Sequence, residues 1–137
     1  MEYVIGIVLA LAVTGSATAL GFDRERVFYP AVMIVIASYY ILFGVIGGSA
    51  PVLIAETAVA AGFMLLAVIG FKSGLWLVVV ALASHGVFDF IHQLIIDDPG
   101  VPRWWPGFCL AFDIAAAVYL AFLLKRNPRL AYQAGLK

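Results

Sequence analysis

Five side chains of the kinds that ligate metals or move protons fall inside apolar runs of this sequence: Glu56, His85, Asp89, His92 and Asp113. His85, Asp89 and His92 are spaced i, i+4, i+7, which places them on one stripe of a helix. Cys109 and Asp113 stand i, i+4 apart in the next run. No Lys or Arg lies inside the runs, and three carboxylates in a low-dielectric medium need protons or a bound cation to neutralise them. Two imidazoles with two or three carboxylates suit Zn²⁺, Fe or Mn. Two His and one carboxylate with an open position form a recurring catalytic ligand set. The expected metal ligands are therefore His85, Asp89, His92 and Asp113. Glu56 and Asp113 are the expected catalytic groups, completing the sphere or serving as general base.

The rest of the sequence says what must position them. The chain has 137 residues, 65% of them hydrophobic and only 12% charged, and its mean hydropathy is +1.09. A soluble domain is nearer 45–50% apolar and about 25% charged. That composition excludes a water-soluble globule, a nucleic-acid binder and a disordered chain. Lys plus Arg and Asp plus Glu both total 8, so net charge indicates no partner. The single cysteine excludes an intrachain disulfide.

A helix of about 20 residues spans a bilayer's hydrocarbon core, and the backbone of a spanning segment must satisfy its own hydrogen bonds. Runs of that length predict helices over residues 3–22, 27–46, 52–71, 74–96 and 107–124. The short connections predict one transmembrane domain, an all-α antiparallel bundle of five helices. Ala17-Thr18-Ala19 imitates a signal-peptidase site, but with no basic n-region before it the first run reads as a retained helix.

Lys and Arg favour the cytoplasmic side. With the C-terminus inside, Arg24, Arg26, Lys72, Lys125, Arg126, Arg129 and Lys137 lie on that side, and only Arg103 lies outside. The expected setting is the cell (inner) membrane, with the N-terminus outside and the C-terminus cytoplasmic. Trp104 and Trp105 then mark the outer interface and Trp76 the inner one. At about 1.5 Å rise per residue, Glu56 and His92 lie roughly 6 Å below the outer ends of their runs. By the same rise, Asp113 and Asp89 lie roughly 9–10 Å deep and His85 roughly 16 Å deep. Three helices thus bring four polar groups to one level of the outer half, where Ser38, Tyr39 and Tyr40 of the second run also fall.

Plainer roles stand beside these. The stripe on the fourth run also reads as a metal-free proton site or as hydrogen-bonding glue between helices. Glu56 near a helix start complements the helix dipole. Cys109 reads as a small buried apolar side chain, with a ligand role open through its spacing to Asp113. Asp97 and Asp98 read as a solvated turn, and Asp23-Arg24-Glu25-Arg26 as an interfacial charge cluster. Gly44, Gly47 and Gly48 read as close packing or a turn.

Glu56, the His85-x3-Asp89-x2-His92 run, the loop with Pro99 and Pro102, and Cys109-x3-Asp113 together resemble a family of small, uncharacterised bacterial multi-pass membrane proteins of unknown function. The resemblance covers about the last two-thirds of the chain and implies a bacterial-type membrane setting, without a reaction. The acidic and His residues among aromatics are also loosely similar, in architecture alone, to sterol-isomerase-type membrane domains.

The function expected from these observations is that of a metal-dependent membrane enzyme, a hydrolase or oxidoreductase. Its partners would be membrane lipid and an apolar small-molecule substrate, with a divalent transition metal as cofactor. A proton-coupled transporter or relay using the same acids and imidazoles is the alternative, and a structural or partner-binding subunit is a third. A homodimer is compatible with so small a bundle, though no motif specifies one.

Overall fold

The computed structural model of the chain describes residues 1–131; Lys137, one of the residues used to assign orientation, lies outside them. The described residues form helices joined by turns and loops, with no strand. The elements are α1 (Glu2–Leu20), a 3-10 turn (Phe22–Arg24), α2 (Phe28–Gly47), α3 (Ala50–Ser73), α4 (Leu75–His92), α5 (Trp105–Arg126) and the short α6 (Pro128–Ala131). The five long helices are each long and apolar enough to cross a membrane.

Local chemistry sets their ends. Gly21 closes α1 at φ 81° and Gly48 closes α2 at φ 71°, a left-handed geometry that suits glycine. Pro51 and Pro106 sit in the first turns of α3 and α5, where a missing N–H costs little. Most limits fall within two residues of those expected, but α4 does not reach residue 96. It ends at His92, whose carbonyl accepts from the amides of Ile95 and Ile96, both at 2.8 Å. Gln93 Nε2 then donates to the carbonyl of Asp98. Hydropathy alone counts Leu94-Ile95-Ile96 as more helix, yet the chain must fold back here to bury Asp98. Leu94 and Ile95 stay exposed.

The helices are ordered α1–α5–α4–α3–α2 around the bundle. Although a short turn joins α1 to α2, α1 packs on α5. Small residues make these approaches close. A Cβ added to Gly6 of α1 would lie 3.0 Å from Ala111 Cβ and closer still to the Phe108 carbonyl of α5. Gly44 of α2 faces Leu53 and Glu56 of α3, Gly70 of α3 faces Val78 of α4, and Gly86 of α4 faces Leu110 and Asp113 of α5. These pairings show that α1 and α5 run in the same direction, while α2/α3, α3/α4 and α4/α5 run antiparallel. One end of the bundle therefore carries Met1, Gly47, His92 and Trp104, and the other carries Leu20, Arg26, Ser73 and Arg126.

The packed centre is apolar toward the Arg26 end, where Tyr29, Met33, Leu75, Val78, Leu82 and Leu120 are almost wholly buried. The outward faces carry exposed apolar side chains such as Val4, Val8, Leu65, Val80 and Val118. In the connection after α1, Asp23 is buried and accepts from Thr18 Oγ1 at 2.5 Å. Arg26 donates to the carbonyls of Phe71 at 2.8 Å and Leu130 at 3.1 Å. Partial burial holds its guanidinium below the ordinary value. The expected interfacial charge cluster is thus partly structural, since two of its four members tie chain segments together.

Candidate functional site

The five expected side chains all point inward and are between 0% and 4% exposed. They divide into two groups, with Tyr40 of α2 between them.

The deeper group joins α4 to α5. His85 donates from Nδ1 to Asp113 Oδ2 at 2.7 Å. Asp89 Oδ2 lies 3.9 Å from the same nitrogen, and Asp89 Oδ1 accepts a hydrogen bond from the Tyr40 hydroxyl. One donor atom each from His85, Asp89 and Asp113 fall within 4.8 Å of one another. Three donors bonded at 2.0–2.2 Å to a single ion stand about 3.3–3.8 Å apart, so this group would close on an ion with shifts of up to about an ångström. His85 Nε2 and Asp113 Oδ1 are buried without a hydrogen-bond partner. Orphaned polar atoms of this kind are costly in apolar surroundings. Cys109, one helical turn before Asp113, is buried near Asp89 and Asp113.

The second group lies nearer the Trp104 end. His92 donates from Nε2 to Glu56 Oε1 at 2.7 Å. Neither residue belongs to the cluster of three, so the four expected ligands separate into three and one. The reason is distance along α4, since His92 stands seven residues, about 10 Å, beyond His85. His92 is that helix's last residue, and its ring turns toward α3, where Glu56 stands about 9 Å past the helix start. By the same rise, His85 lies about 10 Å and Asp113 about 12 Å from their helix ends. His85 and Asp113 therefore meet at one level, whereas run lengths alone set His85 deeper than Asp113.

Tyr40 links the groups. Its ring centroid is 5.1 Å from that of His85 and 5.5 Å from that of His92. Phe63 and Phe88 pack around the same imidazoles. Of the two neighbours singled out with Tyr40, Ser38 is exposed and bonds only to its own helix, while Tyr39 stacks toward Phe43 and Trp105.

Asp98 corrects an expectation. It is 1% exposed, not solvated, whereas Asp97 beside it is exposed. Its Oδ1 accepts from the Gly100 amide at 2.8 Å, an Asx-type turn that the Asp-Pro-Gly order could have signalled. The loop seats on α2 because both surfaces lack a side chain. A Cβ on Gly47 would overlap Asp98, and one on Gly100 would overlap the Phe43 carbonyl. Gly44 and Gly47 thus serve close packing and Gly48 the turn, as expected.

A groove of about 850 Å³ opens between α1 and α2, with α5 as its floor. Ile5, Leu9 and Val13 form one wall, and Val32, Val35 and Ile36 the other. Trp104 and Trp105 stand at one end, and Cys109 and Asp113 are set in the floor. The deeper polar cluster thus lies directly beneath the groove floor, where Asp113 is 0% and Cys109 3% exposed. Sequence spacing could not show this opening, because it depends on α1 packing against α5 and leaving α2 uncovered on that side.

No protein-family model, curated protein or solved structure matches the chain.

Proposed function

We propose that the chain is a metal-dependent membrane enzyme acting on a lipid or other apolar small molecule. In this reading His85, Asp89 and Asp113 hold a divalent transition metal, Zn, Fe or Mn. Tyr40 fixes the Asp89 carboxylate, and Glu56 with His92 forms an adjoining acid–base pair. The observation that carries the reading is Asp113, a member of the three-donor cluster placed at the covered floor of an apolar groove. Such a groove, apolar with a few convergent polar groups, is the usual form of a small-molecule site. A bound metal would supply Lewis acidity or an activated water. The basic residues at the Arg26 end favour that end as cytoplasmic and the Trp104 end as outside, in the cell (inner) membrane.

Elemental analysis of protein purified without chelator tests the ligand set. Near-stoichiometric Zn, Fe or Mn is expected, with loss in His85→Ala, Asp89→Asn and Asp113→Asn. Folded wild-type protein free of metal would refute it.

A second reading, a proton-relay or proton-coupled transport protein, draws on a different observation. Two imidazole–carboxylate pairs, His85–Asp113 and His92–Glu56, flank Tyr40 and Asp89 in one buried line. It predicts acid-driven flux in proteoliposomes from protein that carries no metal.

A further inference from the structure

We propose that the groove between α1 and α2 holds one hydrocarbon chain of a bilayer glycerolipid, with a mid-chain carbon, not the headgroup, over the floor at Cys109 and Asp113. This rests on the membrane-enzyme reading above and names the part of the substrate nearest the cluster.

Depth is the first argument. Cys109 lies about 6 Å and Asp113 about 12 Å past the first residue of α5. Trp104 and Trp105 stand at that end, and tryptophans of membrane proteins gather at headgroup level. With a hydrocarbon core about 30 Å thick, Asp113 lies well inside the acyl region. A lipid with its headgroup beside the tryptophans presents chain carbons there.

Charge matching is the second. From Ile5 down to Val13, and from Tyr39 down to Phe28, the walls carry no charged side chain. A headgroup phosphate would find no counter-charge along that path, whereas a hydrocarbon chain needs none. The groove also continues the apolar outer faces of α1 and α2, where Val4, Val8 and Val35 are exposed. A chain can therefore enter sideways from the surrounding hydrocarbon.

Shape is the third. Helix pairs in membranes approach closely across small residues. The groove instead presents Ile5, Leu9 and Val13 opposite Val32, Val35 and Ile36. These large side chains keep a second helix from approaching as closely as small residues would allow. The consequence for chemistry is that the part of the lipid nearest the cluster is a carbon–carbon or carbon–hydrogen segment, and a headgroup ester stays out of its reach.

The test uses the full chain in phosphatidylcholine vesicles. One preparation contains phosphatidylcholine with a photoactivatable diazirine at mid-chain, and the other contains phosphatidylcholine with the diazirine on the headgroup. After photolysis, peptide mass spectrometry locates the adducts. The mid-chain probe should label residues 109–113 several-fold more than the lipid-facing segments around Val80 and Val118. The headgroup probe should label the Trp104 region and spare 109–113. Val32→Trp, which fills the slot, should reduce the groove adduct to the level of the outer faces. Wild-type labelling decides the matter even if that variant fails to fold.

Equal labelling of groove and outer faces would overturn the proposal. So would headgroup labelling of 109–113, or an unlabelled groove together with Leu9→Cys dimers that reveal a second copy covering it. Metal content measured on the same samples separates the two readings. A labelled groove without metal removes the ligand set and leaves the chain site standing, while bound metal with an unlabelled groove does the reverse.

Discussion

Adding one methyl group at Gly86 should uncouple His85 from Asp113 without touching either side chain. A Cβ at this position would lie 2.9 Å from Asp113 Cβ and 3.3 Å from the Leu110 Cα and carbonyl oxygen. Carbon atoms in contact prefer about 3.5–4.0 Å, so α4 and α5 must part locally by roughly 1 Å. That movement lengthens the 2.7 Å His85–Asp113 bond beyond hydrogen-bonding range. Three effects then compete. Replacing Gly by Ala within a helix gains about 0.8–1.0 kcal/mol. Forcing an atom into a packed contact costs about 1–3 kcal/mol, and a polar contact between membrane helices averages about 0.6 kcal/mol. The net expectation for Gly86→Ala is a loss of about 0.6–2.8 kcal/mol. Metal affinity should fall about 10–100-fold, the usual result of disturbing a ligand's support. Gly62→Ala is the control, because no atom lies within 4 Å of its added Cβ. It should gain up to about 1 kcal/mol and keep its metal. Thermal unfolding in detergent and elemental analysis read both quantities. Identical behaviour of the two variants would refute the argument from close packing.

Three other outcomes are expected. Tyr40→Phe removes the donor to Asp89 and should cost about 1 kcal/mol, with weaker metal retention in a competition against a chelator. His92→Gln should lower the unfolding midpoint, since Glu56 loses its imidazole partner at a cost of about 1–3 kcal/mol, yet leave metal content unchanged; metal loss would return His92 to the ligand set. For orientation, Arg103→Cys in a Cys109→Ala background should react with an impermeant thiol reagent added outside the cell, while a C-terminal reporter active only in the cytoplasm is functional; a silent reporter with no outside labelling would reverse the topology.

The helices were legible in the sequence because hydrocarbon-length apolar runs leave a backbone few options beyond a helix. The inward stripe of His85, Asp89 and His92 was legible too, since helical spacing sets direction along one element. So was the pairing of α4 with α5 that brings Asp113 to His85. Partner choice among the polar groups was not. Periodicity gives an angle around one helix, but which neighbour a side chain meets depends on how far apart the helices stand and where each one ends. The four-residue shortening of α4 comes with tertiary packing, as Asp98 and Gly100 seat on α2 at Gly47 and Phe43, while His92 meets Glu56 because α3 packs beside the end of α4. The groove has the same origin. Its walls are ordinary apolar residues that any lipid-facing helix carries, and only the seating of α1 on α5 through Gly6 leaves them facing one another across an open slot.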